Sequence, residues 1–196
     1  MASRRVSYLV VLVAGFLVSG AATAADPRSA SMLSNTCAGC HGTNGASAGD
    51  AMPTIGGLNK RYIFKAMKDF QGDARESTIM GRMARGYSDL ELQAIASFFA
   101  EQPWVPTKAP IKKSLVSQGE KVHKEQCESC HRDNGRFNSK ETPRLAGQWP
   151  VYLYNQLRDL HDFGYQGVQP TEMRQRVQKL NEEEIMALSQ FYASQK

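Results

Sequence analysis

The sequence predicts an all-α protein built as two tandem copies of one small helical unit. Three observations predict it. The 196-residue chain repeats itself at a nearly fixed offset. Each copy closes with an amphipathic helix that carries its own start signal, and no segment shows the strict alternation of a half-buried strand.

The repeat is regular enough to argue for a duplicated domain. At an offset of 90, Cys37, Cys40 and His41 fall on Cys127, Cys130 and His131, and Asn44-Gly45 falls on Asn134-Gly135. Pro53, Ile55 and Gly57 meet Pro143, Leu145 and Gly147, and Tyr62, Met67 and Phe70 meet Tyr152, Leu157 and Leu160. Past a three-residue insertion the offset becomes 93, so that Leu92, Ile95, Phe98 and Phe99 meet Ile185, Leu188, Phe191 and Tyr192.

Taken in order, residues 1–24 read as a cleaved signal peptide. Arg4 and Arg5 precede an apolar run from Tyr8 to Val18, and Ala22-Thr23-Ala24 supplies the small residues of a cut site. The apolar run is short for a spanning helix. Export places the mature protein in the periplasm. The first domain is then 25–102, the second 115–196, and 103–114 is a linker, where Pro103, Pro106 and Pro110 disfavour helix. In each domain a first helix (near 29–36 and 115–126) runs toward the cysteines. A middle helix (near 59–71 and 149–162) follows a polar loop. The last helix opens at Ser88 with Glu91, or at Asn181 with Glu184. Both pairs match a capping box, in which the side chains satisfy free backbone N–H groups.

Charge excludes little but is useful. The chain carries 24 basic and 19 acidic residues. Without the two arginines of the leader, the excess falls from +5 to +3. That is no footprint for nucleic acid. It allows attraction to acidic protein partners, and any membrane association would be peripheral. Each half has about 80 residues, a size at which a core usually needs a staple.

All four cysteines lie in two C-x-x-C-H motifs, "CAGCH" at 37–41 and "CESCH" at 127–131. Two thiols at this spacing can add across the vinyl groups of one haem, and the adjacent imidazole can take the iron; this is the attachment pattern of haem c. Cys37, Cys40, Cys127 and Cys130 are therefore the attachment candidates, and two haem c groups are expected. A zinc module would bring its cysteine pairs much closer in sequence. A thioredoxin-type pair leaves both histidines unexplained, and disulfides within C-x-x-C would staple very little. The haem discs would also supply the missing core.

His41 and His131 give each iron one axial ligand. A thioether is the natural second, since a neutral, soft sulfur favours ferrous iron and raises the potential. Met52, Met67, Met80 and Met83 compete in the first half, Met173 and Met186 in the second. Only Met80 and Met173 keep the repeat register, each seven residues before the residue that precedes the last helix cap. His123 and His161 have no histidine counterparts, standing opposite Leu33 and Gln71, and read as surface or helix-face residues. The carbonyls of Pro53 and Pro143 are candidate acceptors for the second ring nitrogen of the ligating histidines.

With these residues in place the sequence resembles the dihaem cytochromes of the c4 type over nearly the whole mature chain. A narrower resemblance is to the haem subunit of flavocytochrome c sulfide dehydrogenase, through "LSNTCAGCHGTNG", "STIMGRMARGYSD", "LAGQWPVYLYNQL" and "FYASQK". The resemblance implies two tandem cytochrome c domains, each wrapped on one haem, facing each other across the domain interface. It implies attachment through Cys37, Cys40, Cys127 and Cys130, and iron ligation by His41, Met80, His131 and Met173. It also implies an FAD flavoprotein partner that oxidises sulfide, with other redox proteins as acceptors. The chain itself would then be no enzyme but an electron-transfer subunit of a sulfide:cytochrome c oxidoreductase. Two alternatives are a free c4-like carrier serving a terminal oxidase or reductase, and a dihaem peroxidase with one open iron.

Overall fold

In the computed structural model of the chain, residues 29–162 and 171–196 are described. The expected signal peptide falls outside the described residues, and so does 163–170. Among the described residues all regular structure is helical. The first half holds α1 (Ala30–Asn35), α2 (Ala38–His41), α3 (Lys60–Gln71), α4 (Met80–Ala84) and α5 (Asp89–Ala100). The second holds α6 (Lys113–Val122), α7 (Arg132–Gly135), α8 (Pro150–Asp162), α9 (Thr171–Val177) and α10 (Glu182–Ser194). Residues 103–112 run between the halves without helix. No helix among the described residues is long and apolar enough to cross a membrane.

The helices start where local chemistry says they should. Asn59 caps α3 by accepting from Arg61 N at 2.9 Å, and Pro150 opens α8, where its missing N–H has no helical partner to lose. Both capping boxes form. Ser88 N donates to Glu91 Oε2 at 2.6 Å. Asn181 N donates to Glu184 Oε2 at 2.9 Å, and Glu184 N returns a bond to Asn181 Oδ1 at 3.0 Å.

Each half packs its last helix on the first and middle ones, α5 on α1 and α3, α10 on α6 and α8. Leu33, Tyr62, Ile63, Ile95 and Phe99 form the first core. Val122, Leu153, Ile185, Leu188 and Phe191 form the second. Ile95 and Phe99, like Ile185, Leu188 and Phe191, recur at three- and four-residue steps along the closing helices. Gly119 lets α6 and α10 touch, since a Cβ there would sit 2.2 Å from Ala187 O.

The two halves are joined by direct bonds. Thr54 N donates to Gln148 Oε1 and Gln148 Nε2 donates to Thr54 O, both at 2.9 Å. Asn138 accepts from Asn59 N at 3.1 Å and donates to Gly57 O at 2.9 Å. Tyr152 N donates to Asp50 O at 3.0 Å, and buried Arg75 bonds Gln156.

Candidate haem centres

In the first half a single turn gathers the motif. Cys40 N and His41 N both donate to Cys37 O, at 3.2 and 2.9 Å, so α2 sets Cys37, Cys40 and His41 along one helix face. Gly42 then ends the helix at φ 74°, with a Cβ position only 2.0 Å from Ala46 O; no other residue fits. Asn44 follows in the left-handed region at φ 55°, where asparagine is tolerated. Gly45 O accepts from Ile55 N at 2.9 Å and Gly56 N at 3.1 Å, which folds the loop back. This return brings Pro53 O to 2.9 Å from His41 Nδ1, the acceptor expected for a ligating imidazole.

The second half repeats most of this. Cys130 N and His131 N donate to Cys127 O at 3.1 and 2.9 Å. Gly135 O accepts from Leu145 N and Ala146 N, the counterparts of Ile55 and Gly56, and Asn134 lies at φ 52°. Two features depart: Arg132 stands where the first half has Gly42, and Pro143 does not take the part of Pro53. His131 Nδ1 is buried and has no hydrogen-bond partner among the described residues, so the Pro143 carbonyl does not play the part of Pro53. His131 leaves the helical conformation at ψ 52°, whereas His41 ends α2, so the two rings are carried differently.

The approach to the motif differs as well. His123–Cys127 winds as a π-turn, with Glu128 N bonded to His123 O at 2.9 Å. This wide turn lets the Glu128 carboxylate reach back to His123 Nε2. Of the two readings of His123, surface or helix face, the surface one is wrong. It is fully buried, shares a 2.9 Å hydrogen bond with Tyr192 Oη, and stacks near Phe191. Its repeat partner Leu33 is a core residue, and that was the signal to follow. His161 is half-exposed and pairs with Asp162.

The electrostatics suit neutral ligands. Burial lowers the His41 pKa, partly opposed by the Pro53 bond, and lowers that of His131 to about 4, with His123 adding to the effect. A neutral imidazole whose Nδ1 holds the proton keeps the Nε2 lone pair for a metal. Burial raises the Cys37 thiol and takes Cys127 to about 11. All four cysteines are free of disulfides.

The two methionines sit in matched surroundings. Met80 opens α4 and packs against the cluster of Met67, Ala84 and Leu92, with Phe70 alongside. Met173 lies in α9 and packs against Leu160 and Val177, with Leu157 alongside. Leu157, Leu160 and Val177 are the repeat counterparts of Met67, Phe70 and Ala84. Arg176 Nη1 donates to Gln126 O at 3.0 Å and ties α9 to the segment before Cys127. Neither α4 nor α9 was legible in advance, because five and seven residues are too short to display an apolar period.

Comparison with known proteins places this geometry. The Cytochrome c family matches residues 29–102, and the family described as Cytochrome C oxidase, cbb3-type, subunit III matches 114–191. Cytochrome c4 of Azotobacter vinelandii is 30% identical over 93% of this chain and 96% of its own. The chain belongs to the cytochrome c4 family. The structure of reduced cytochrome c4 from Pseudomonas stutzeri matches with a TM-score of 0.74 at 27% identity, over 82% of this chain and 94% of that one. A thiosulfate dehydrogenase electron acceptor of Stutzerimonas stutzeri is 28% identical over 93% of this chain and 92% of its own. The cytochrome subunit of sulfide dehydrogenase from Chlorobaculum tepidum is 47% identical, but over only 35% of this chain and 61% of its own.

As a c4-type cytochrome the chain is an electron-transfer protein with two covalently bound haem c groups, one in each domain. The residues present fit that cargo. Each motif offers two unpaired thiols and a buried imidazole. Trp104 Nε1 and Trp149 Nε1 are buried donors with no acceptor among the described residues. Buried donors need acceptors, and a haem carries carboxylates. A bound haem would supply one-electron iron chemistry, and the motif thiols, the buried imidazoles and the thioethers of Met80 and Met173 are what this chain would offer it.

Proposed function

We propose that this c4-type cytochrome is the haem subunit of a periplasmic sulfide dehydrogenase, accepting electrons singly from an FAD flavoprotein and passing them to other redox proteins. In this reading Cys37 and Cys40 attach one haem and Cys127 and Cys130 the other. His41 with Met80, and His131 with Met173, fill both axial positions of each iron. Residues 1–24 direct export and are removed. Residues 25–102 and 115–196 then act as two domains joined by 103–114.

The observation that supports the partner is the 47% identity, over 35% of this chain, to a sulfide dehydrogenase cytochrome subunit. The observation that carries the ligand set is the repeat-related packing around Met80 and Met173. With protein donors on both sides of each iron there is no open position for a substrate, so sulfide chemistry belongs to the flavin chain.

A second reading, a free c4-like carrier, is favoured by the full-length match to cytochrome c4. Native purification distinguishes them. A flavin-containing chain that co-purifies and reduces this cytochrome with sulfide supports the subunit. A solitary protein, reduced by respiratory donors and not by sulfide with any co-purifying flavoprotein, overturns it in favour of the carrier.

A further inference from the structure

We infer that Gln148, in the second domain, tunes the reduction potential of the haem in the first. The inference rests on the reading of His41 as an iron ligand. Its material is one peptide unit, Pro53–Thr54. The oxygen of that unit lies 2.9 Å from His41 Nδ1. Its N–H, on Thr54, donates to Gln148 Oε1 at 2.9 Å. Gln148 Nε2 donates in turn to Thr54 O at 2.9 Å, and Gln148 Oε1 also accepts from Trp149 N at 3.1 Å. Thr54 is 0% exposed and Gln148 3%, so water does not compete.

Hydrogen bonds in series polarise one another, more so at low dielectric. An amide whose N–H is engaged is a stronger acceptor at its oxygen. Pro53 O therefore draws harder on the imidazole proton and gives His41 more imidazolate character. A more basic axial nitrogen favours ferric iron. Gln148 thus holds the first haem's potential down from across the domain boundary.

The second half does not return the favour. The counterpart of Gln148 is Leu58, a core residue, and the counterpart of Thr54 is Arg144. His131 Nδ1 has no hydrogen-bond partner among the described residues. The device is one-way, and it makes the two domains unequal although they are copies.

The test uses the mature, haem-loaded protein, with both midpoint potentials read by spectroelectrochemistry and the His41 ring followed by NMR of isotope-labelled histidine. Gln148→Leu, the residue type at the matching position of the first half, should raise the first haem's ferric-to-ferrous equilibrium constant by about threefold, about 30 mV at 59 mV per tenfold, and leave the second unmoved. Mere loosening of the interface would admit water, stabilise ferric iron and lower the potential instead, so the sign separates the two. Asn138→Ala, which removes a different pair of cross-domain bonds, should leave the first potential unchanged. A fall or no change with Gln148→Leu, or an equal rise with Asn138→Ala, overturns the inference. If the leucine variant fails to hold haem, Gln148→Met, unbranched like glutamine, carries the same expectation. A His41 ring without a hyperfine shift in the ferric protein would sink the ligand assignment itself, whereas a shifted ring with an unmoved potential sinks this inference alone.

Discussion

His123 Nδ1 lies 2.9 Å from Tyr192 Oη, inside the core, where the first domain has Leu33 and Phe99. One copy of the duplicated unit holds a hydrogen-bonded pair where the other holds an apolar one. Glu128 closes the chain of contacts on the far nitrogen of the ring. Tyr192 also reaches Cys127, and burial holds its phenol well above the usual tyrosine range.

Such a pair is coupled. Tyr192→Phe alone leaves His123 Nδ1 buried without a partner and should cost about 1–3 kcal/mol. His123→Leu alone leaves the buried phenol only its contact with Cys127. Made together, the two changes rebuild the first domain's pair and should cost less than the sum of the singles, by about 1 kcal/mol or more. Denaturant titration of the four proteins measures the coupling; strict additivity would show that the bond contributes nothing.

Gly42 is the hinge of the first motif. An added Cβ would meet the Ala46 carbonyl at 2.0 Å, on a backbone already at φ 74°. Gly42→Ala should destabilise the first domain by about 2–4 kcal/mol and disturb the Pro53 bond to His41. Thermal melts followed at the haem bands would reveal it, and an unchanged melt would mean that the loop is not held as described.

Covalent attachment should act as a staple. Cys127→Ala leaves the second haem on one thioether, and the second domain should lose about 0.5–3 kcal/mol, the range of an ordinary destabilising change. The first domain should melt as before. Two-transition calorimetry checks this. A second transition in its old place would show that the polypeptide core suffices without the clamp.

Met80→Ala should lower the first haem's potential by at least tenfold in the reduction equilibrium, about 59 mV, and open its iron to carbon monoxide. Met173→Ala should do the same to the second haem only. Potentiometry and carbon monoxide difference spectra read both effects, and a variant that moves the wrong haem, or neither, rejects the assignment.

Much of this architecture was written in local chemistry. Ser88 with Glu91 and Asn181 with Glu184 are short-range signals, and both form the bonds they promise. The spacing of Leu92, Ile95 and Phe99 needs only a helix to become a core face. What depends on tertiary detail was harder to see. The burial of His123 follows from Leu33, but only if the repeat is trusted above the polarity of the side chain. The loss of the Pro143 contact goes with a His131 that leaves the helical conformation at ψ 52°, which the shared C-x-x-C-H letters do not encode. Gln148 reads as one polar residue among many until the fold lays it on the Pro53–Thr54 peptide, ninety-four positions away from Thr54.

The central claim, that each iron is closed by an imidazole and a thioether, is tested most directly by the sulfur-to-iron charge-transfer band of the ferric protein. The account predicts two low-spin haems in the unmodified protein, with about half of the band lost in either Met80→Ala or Met173→Ala and all of it lost in the double variant. A band that survives both changes, or a high-spin haem in the unmodified protein, would contradict it.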